Sequence, residues 1–251
     1  MAQILLTLAY CGTDYAGFQV QKHARTVQSV IQDAIEPIYG ERLPVVGCSR
    51  TDAGVHARDY KLTFRTEKQL PLERIPAALN AHLPDDIAVL DACTVSDTFH
   101  VRHDVYEKEY EYVICNTPYR DPFSVNTALH YRRPIDTDLL HRAAQAFIGT
   151  QDFRTFMASG SDIADTTRTV RSVSVTRDGD FVRLRIAADG FLYNMVRIFV
   201  GTMLAVNEGK ILPDAIPAVI ESGDRKRAGI TVPPHGLYLN RVVFRGDLKE
   251  R

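Results

Sequence analysis

Gly47-Cys48-Ser49-Arg50-Thr51-Asp52-Ala53-Gly54-Val55-His56-Ala57 is the stretch on which the reading of the chain turns. Val45-Val46 leads into it, and the alternating run Tyr60-Lys61-Leu62-Thr63-Phe64 leads out. In that run Tyr60, Leu62 and Phe64 share one face of a strand. Gly47 and Gly54 let the backbone turn tightly at both ends. Between them lies one carboxylate, Asp52, with Arg50 before it and His56 and Arg58 just after. A guanidinium beside a carboxylate keeps it ionised and oriented, which suits a nucleophile or a base. The same composition also suits a surface turn whose Asp caps a helix or pairs with a neighbour.

Outward from this loop, strands and helices alternate. Residues 4–10 form an apolar run of strand length, followed by a Gly-bounded loop over 11–19. Thr26 is positioned as an N-cap for a helix carrying Val27, Val30, Ile31, Ala34, Ile35 and Ile38, with Pro37 marking its end. Pro76 opens a short helix with Ala78, Leu79 and His82, and 87–92 is a further strand. From Thr98 the pattern restarts with a strand over 110–114. Asp136 or Thr137 caps a helix carrying Leu139, Leu140, Ala143, Ala144 and Phe147, which Gly149 stops. The segments 171–175 and 182–186 flank Asp178-Gly179, the strongest hairpin signal in the chain. A long helix over 191–208 ends at Gly209, and Leu237–Phe244 is a last strand. These elements predict an α+β fold rather than a doubly wound parallel sheet, in two domains, 1–104 and 105–251.

Bulk properties narrow the function classes. The 251 residues are 45% hydrophobic and 24% charged, ordinary for a globular protein. Thirty Lys and Arg against thirty-one Asp and Glu leave a net charge of −1, so any nucleic acid must meet a local basic groove. Arg50, Arg58, Arg102 and Arg197 are candidates for such a groove. Cys11, Cys48, Cys93 and Cys115 form no CxxC pair, which argues against a zinc site and suits reduced cytosolic thiols. His56, His100, His103 and His235 offer only the loose His100-x-x-His103 spacing, with no third ligand nearby. The N-terminus lacks the pattern of a signal peptide, and no apolar run is long enough to span a membrane. No glycine-rich phosphate loop or dinucleotide fingerprint appears, so neither metal nor cofactor is expected.

The loop from Gly47 to Ala57 closely resembles the catalytic loop of the TruA family of tRNA pseudouridine synthases. In that family the Asp of Arg-Thr-Asp-Ala-Gly-Val is the essential residue, and it falls on Asp52. The resemblance extends along most of the chain. Tyr10, Gly12, Thr13, Tyr15, Gly17 and Gln19 match a family segment, with Cys11 and Phe18 standing where Asp and Trp are usual. Phe99-x-x-Arg102 followed by Lys108-x-Tyr110-x-Tyr112 resembles a second motif, whose first Tyr, here Tyr110, lies in the active site. Phe191-Leu192-x-x-Met195-Val196-Arg197 resembles a third, whose Arg sits near the catalytic Asp. Gly149-x-x-Asp152-Phe153 and Gly236-Leu237-Tyr238-Leu239 add two more.

The resemblance implies two domains of related topology whose mainly antiparallel sheets join, with helices packed on them and the active cleft between. It implies a cytoplasmic homodimer that isomerises uridine to pseudouridine at positions 38, 39 and 40 of the tRNA anticodon arm. Asp52 would be catalytic, and Tyr110, Arg50 and Arg197 would bind substrate. The carboxylate can begin by attacking ribose C1′ or by removing a C2′ proton; both routes stay open. An N-glycosidase-like hydrolase and a non-catalytic RNA-binding module are the competing readings.

Overall fold

The computed structural model describes residues 1–160 and 163–246. The chain divides into two compact units, Met1–Tyr106 together with the chain from Tyr238 onward, and Glu107–Leu237. The final strand thus lies with the first unit, whereas the sequence expectation keeps everything after residue 105 together.

The first unit is built on β1 (Ala2–Tyr10), which is antiparallel to β3 (His56–Thr66) on one side and to β4 (Ile87–Val95) on the other. Leu6 faces Leu62 across one ladder and Ala92 across the other, and Leu6, Leu8, Tyr60 and Leu62 are fully buried. The free edge of β3 is shared. Strand β2 (Val45–Gly47) pairs antiparallel at one end, Val45 opposite Phe64, and the chain's last strand, β10 (Leu237–Phe244), pairs parallel at the other, Tyr238 opposite His56. The loop over 48–55 leaves the sheet between those two partners.

Helix α1 (Val27–Tyr39) begins at Thr26, whose side chain accepts from Ser29 N while the Ser29 hydroxyl meets the Thr26 backbone. Such a capping box is worth about 1 kcal/mol. Pro37 does not end the helix as its position suggested. It sits in the last turn, where it forfeits one backbone bond, and the buried Tyr39 carries the helix to Gly40. Gly40, left-handed at φ 86°, closes the helix by donating to the Glu36 carbonyl at 2.8 Å. A short helix, α2 (Ile75–Asn80), starts with Pro76 in its first turn and buries Ile75 and Leu79; His82 lies beyond it.

In the second unit, β5 (Val105–Cys115) carries the two-residue β6 (Leu129–His130) in parallel at its end, and α3 (Thr137–Ala144) follows, capped by Asp136. Then come β7 (Gly149–Asp152), β8 (Thr167–Asp178) and β9 (Phe181–Ala188), giving an antiparallel order β5-β9-β8-β7. The hairpin closes where expected, with Asp178 opposite Phe181. Helix α4 (Met195–Asn207) starts four residues later than its apolar run, because Asn194 adopts φ 59° and the residues before it form a loop. Ten of its thirteen residues are buried, which explains an apolar pattern with almost no polar face. Phe147, Phe153 and Phe156 stack edge-on and face-on beneath it with Phe199, so Phe153 of the Gly149-x-x-Asp152-Phe153 motif is core. Helix α5 (Ile216–Glu221) completes the unit. The fold is α+β with mainly antiparallel strands, as the element pattern predicts. Among the described residues, no helix is long and apolar enough to cross a membrane.

Candidate active site

Asp52 is half-buried in the loop between β2 and β3, and Arg50 is exposed. A second loop, residues 11–19, clasps this one by backbone bonds. Phe18 N donates to the Thr51 carbonyl at 3.1 Å and Gly54 N to the Tyr15 carbonyl at 3.2 Å, while Val55 N closes a turn within the Asp52 loop by donating to the Asp52 carbonyl at 3.2 Å. Two glycines make the clasp possible. A Cβ on Gly12 would lie 1.9 Å from the Val55 oxygen, and one on Gly17, already at φ 95°, 2.7 Å from the Thr51 oxygen. The matching glycines of the 11–19 segment thus serve close backbone approach to the Asp52 loop.

His56 is the first residue of β3 and is 1% exposed. Its Nδ1 accepts from Gly12 N at 3.0 Å, so that nitrogen carries no proton. Its ring stacks on Tyr238 at 4.7 Å, and the Arg58 guanidinium lies 4.1 Å over the same Tyr238 ring. Arg58 also donates to Asn240 Oδ1 at 3.1 Å. His100 and His103 stand 4.1 Å apart, but His100 Nδ1 accepts from Arg102 N and His103 N, a turn rather than a ligand pair. Arg102 reaches back to the Gly47 carbonyl at 3.4 Å. Among the described residues, no group of three His, Cys, Asp or Glu side chains is placed to hold a metal.

Tyr110 and Arg197 both belong to the second unit. Tyr110 lies in β5 opposite Ile186, is 7% exposed, and meets the Phe191 ring edge-on at 5.0 Å. Tyr112, two residues on along the same face, is core: its hydroxyl donates to the Pro233 carbonyl at 2.7 Å, and burial raises its pKa. Arg197 sits in the first turn of α4, where Nε donates to the Val232 carbonyl at 2.7 Å and Nη1 to Asn194 Oδ1 at 2.6 Å. Asn194 therefore orients the guanidinium instead of capping the helix with its side chain. The motifs do not single out Asn194, although its place three residues before Arg197 on a helix start is a usable signal.

Glu111, between the two tyrosines of the motif, is not singled out either. It is fully buried, yet receives Arg183 at 3.1 Å and Arg185 at 2.7 Å from the neighbouring strand. Two guanidinium groups on one carboxylate are what make its burial tolerable.

The carboxylate of Asp52 thus stands on a clasped loop of an α+β fold. A family model described as tRNA pseudouridine synthase matches residues 7–104 and 143–245. The chain belongs to the tRNA pseudouridine synthase family, isomerases that convert uridine to pseudouridine in tRNA. Individual relatives extend the match to nearly the full length. Proteins named tRNA pseudouridine synthase A from Thermoanaerobacter sp. (strain X514) and from Caldicellulosiruptor saccharolyticus are each 44% identical, covering 97% of this chain and 100% of their own. One from Moorella thermoacetica is 43% identical with the same coverage.

Proposed function

We propose that Asp52 starts the isomerisation of uridines 38, 39 and 40 in the tRNA anticodon arm, in a cytoplasmic homodimer that uses no metal or cofactor. The observation that carries this reading is the clasp: a carboxylate on a loop held by backbone bonds on both sides is preorganised for one task. The C1′–N1 bond must break, the freed base must turn, and C5 must bond to C1′ while its proton leaves and N1 regains one. Asp52 serves either by attacking C1′ or by taking a proton from C2′. The target base is stacked in a stem-loop and has to be extruded to be reached. Arg50, exposed on the same loop, is assigned to the phosphate or to the gap left by the base. Arg197 and Tyr110 complete the substrate-binding set. Mapping pseudouridine in tRNA exposed to the purified protein tests the reading: modification at those positions supports it, and release of free uracil identifies a hydrolase instead.

Two further outcomes follow from the same set. In this reading the Tyr110 ring stacks on the extruded base and its hydroxyl helps to move the C5 proton. Tyr110→Phe is expected to bind tRNA normally and turn over slowly, and Tyr110→Ala to lose about 1–3 kcal/mol of binding as well. Normal turnover by Tyr110→Phe would remove the proton-handling role.

With a net charge of −1, affinity is assigned to particular arginines, Arg50, Arg58, Arg102 and Arg197 among them, rather than to the charge of the whole chain. Binding isotherms across ionic strength are expected to show affinity falling steeply with salt. A flat response would show that phosphate contacts are not the main source of affinity.

A further inference from the structure

We infer that Tyr10 and Tyr60 are positioning residues for Asp52: their hydroxyls pin Ser49 and Thr51, and so fix where Arg50 and Asp52 point. The inference rests on Asp52 being the catalytic carboxylate. Tyr10 ends β1 and Tyr60 lies in the adjacent β3, so the sheet brings the two rings to 5.5 Å. Phe18 stacks on the Tyr60 ring at 4.4 Å, which fixes that ring against the clasping loop. The Tyr60 hydroxyl donates to the Ser49 carbonyl and lies 3.4 Å from Ser49 N. The Tyr10 and Thr51 hydroxyls are hydrogen-bonded at 2.8 Å. Thr51 is also held through its carbonyl by Phe18 N. Burial follows this arrangement: Thr51 is inside, Arg50 is exposed and Asp52 is half-buried.

A residue between two pinned neighbours has little freedom to rotate, and the residue after the second pin inherits its direction. Filling the core needs only the rings. The hydroxyls are needed because they reach the loop, and a displacement of about 1 Å at a reacting group can cost about 100-fold in rate.

Removing hydroxyls while keeping rings separates positioning from packing. Tyr60→Phe, Tyr10→Phe and Thr51→Val are each expected to lower the single-turnover rate of pseudouridine formation about 10- to 100-fold, with tRNA affinity within about twofold of the parent. Thr51→Ser, which keeps the hydroxyl, is expected to restore the rate. The Tyr10→Phe/Thr51→Val double variant is expected to be no slower than either single change, because both break one bond. Wild-type rates in the hydroxyl-free variants would overturn the inference. So would a Thr51→Ser protein as slow as Thr51→Val, or rate losses matched by equal losses of binding. Asp52→Asn measured alongside keeps the two readings apart. If it is inactive while the tyrosine variants run at full rate, only the positioning role fails; if it is active, the role of Asp52 itself fails.

Discussion

Asp52→Asn is expected to slow pseudouridine formation by about 100- to 10,000-fold while the protein stays folded and still binds tRNA. The amide keeps the shape and one acceptor oxygen but has no charge, so it can neither attack C1′ nor accept a proton. Backbone bonds and two tyrosine hydroxyls hold the path of the loop. Its clasp consists of the backbone bonds Phe18 N to the Thr51 carbonyl and Gly54 N to the Tyr15 carbonyl, a turn inside the loop is closed by Val55 N on the Asp52 carbonyl, and Thr51 and Ser49 are tied by the Tyr10 and Tyr60 hydroxyls. A change at a half-buried loop side chain therefore has little reason to move the melting temperature by more than an ordinary surface substitution. Affinity is assigned to arginines and Tyr110, which the substitution leaves in place. The measurement is pseudouridine formed under single-turnover conditions, beside a melting curve and a binding isotherm. A folded, tRNA-binding Asp52→Asn protein working at the wild-type rate would sink the assignment of Asp52.

What the sequence made legible was local. Alternation at Tyr60, Leu62 and Phe64 marks β3, and Asp178-Gly179 marks the hairpin, because both patterns are set by neighbours along the chain. The errors arise where distant segments decide. Strand β3 begins at His56, four residues before its alternation is visible, because β10 from the far end of the chain pairs with His56 and Ala57. Helix α4 starts late because the loop before it is as apolar as the helix, and only the backbone turn at Asn194 separates them. Pro37 usually ends a helix, an effect that the buried Tyr39 and the Gly40 cap override.

The same holds for the site. The motifs carry Asp52, Tyr110 and Arg197, but not the reason for Gly12, whose partner is a carbonyl more than forty residues away. Glu111 lies between Tyr110 and Tyr112 in an alternating strand, and only the cross-strand register with Arg183 and Arg185 shows why it is buried.

Gly12→Ala is expected to damage both stability and turnover, in contrast to Asp52→Asn. The added Cβ would sit 1.9 Å from the Val55 oxygen and 2.6 Å from its carbonyl carbon. Carbon–carbon contacts settle at about 3.5–4.0 Å, and both clashing atoms are backbone, so no rotamer change relieves the overlap. The 11–19 loop must then move away from residues 52–55. That movement breaks the Gly12 N bond to His56 Nδ1, which closes the clasp just after the Asp52 loop. Overpacking of this kind costs about 1–3 kcal/mol, and more where nothing can yield. A shift of about 1 Å at Asp52 adds about 100-fold in rate. Thermal melting and single-turnover kinetics on the same preparation read the two effects. Cys11→Ala, one residue away and clear of that carbonyl, is the control and is expected to lose only the contact of its thiol with the Thr13 hydroxyl at 3.3 Å. A Gly12→Ala protein with unchanged melting and turnover would mean that the two loops are not in backbone contact in solution. The placement of Asp52 would then need another support.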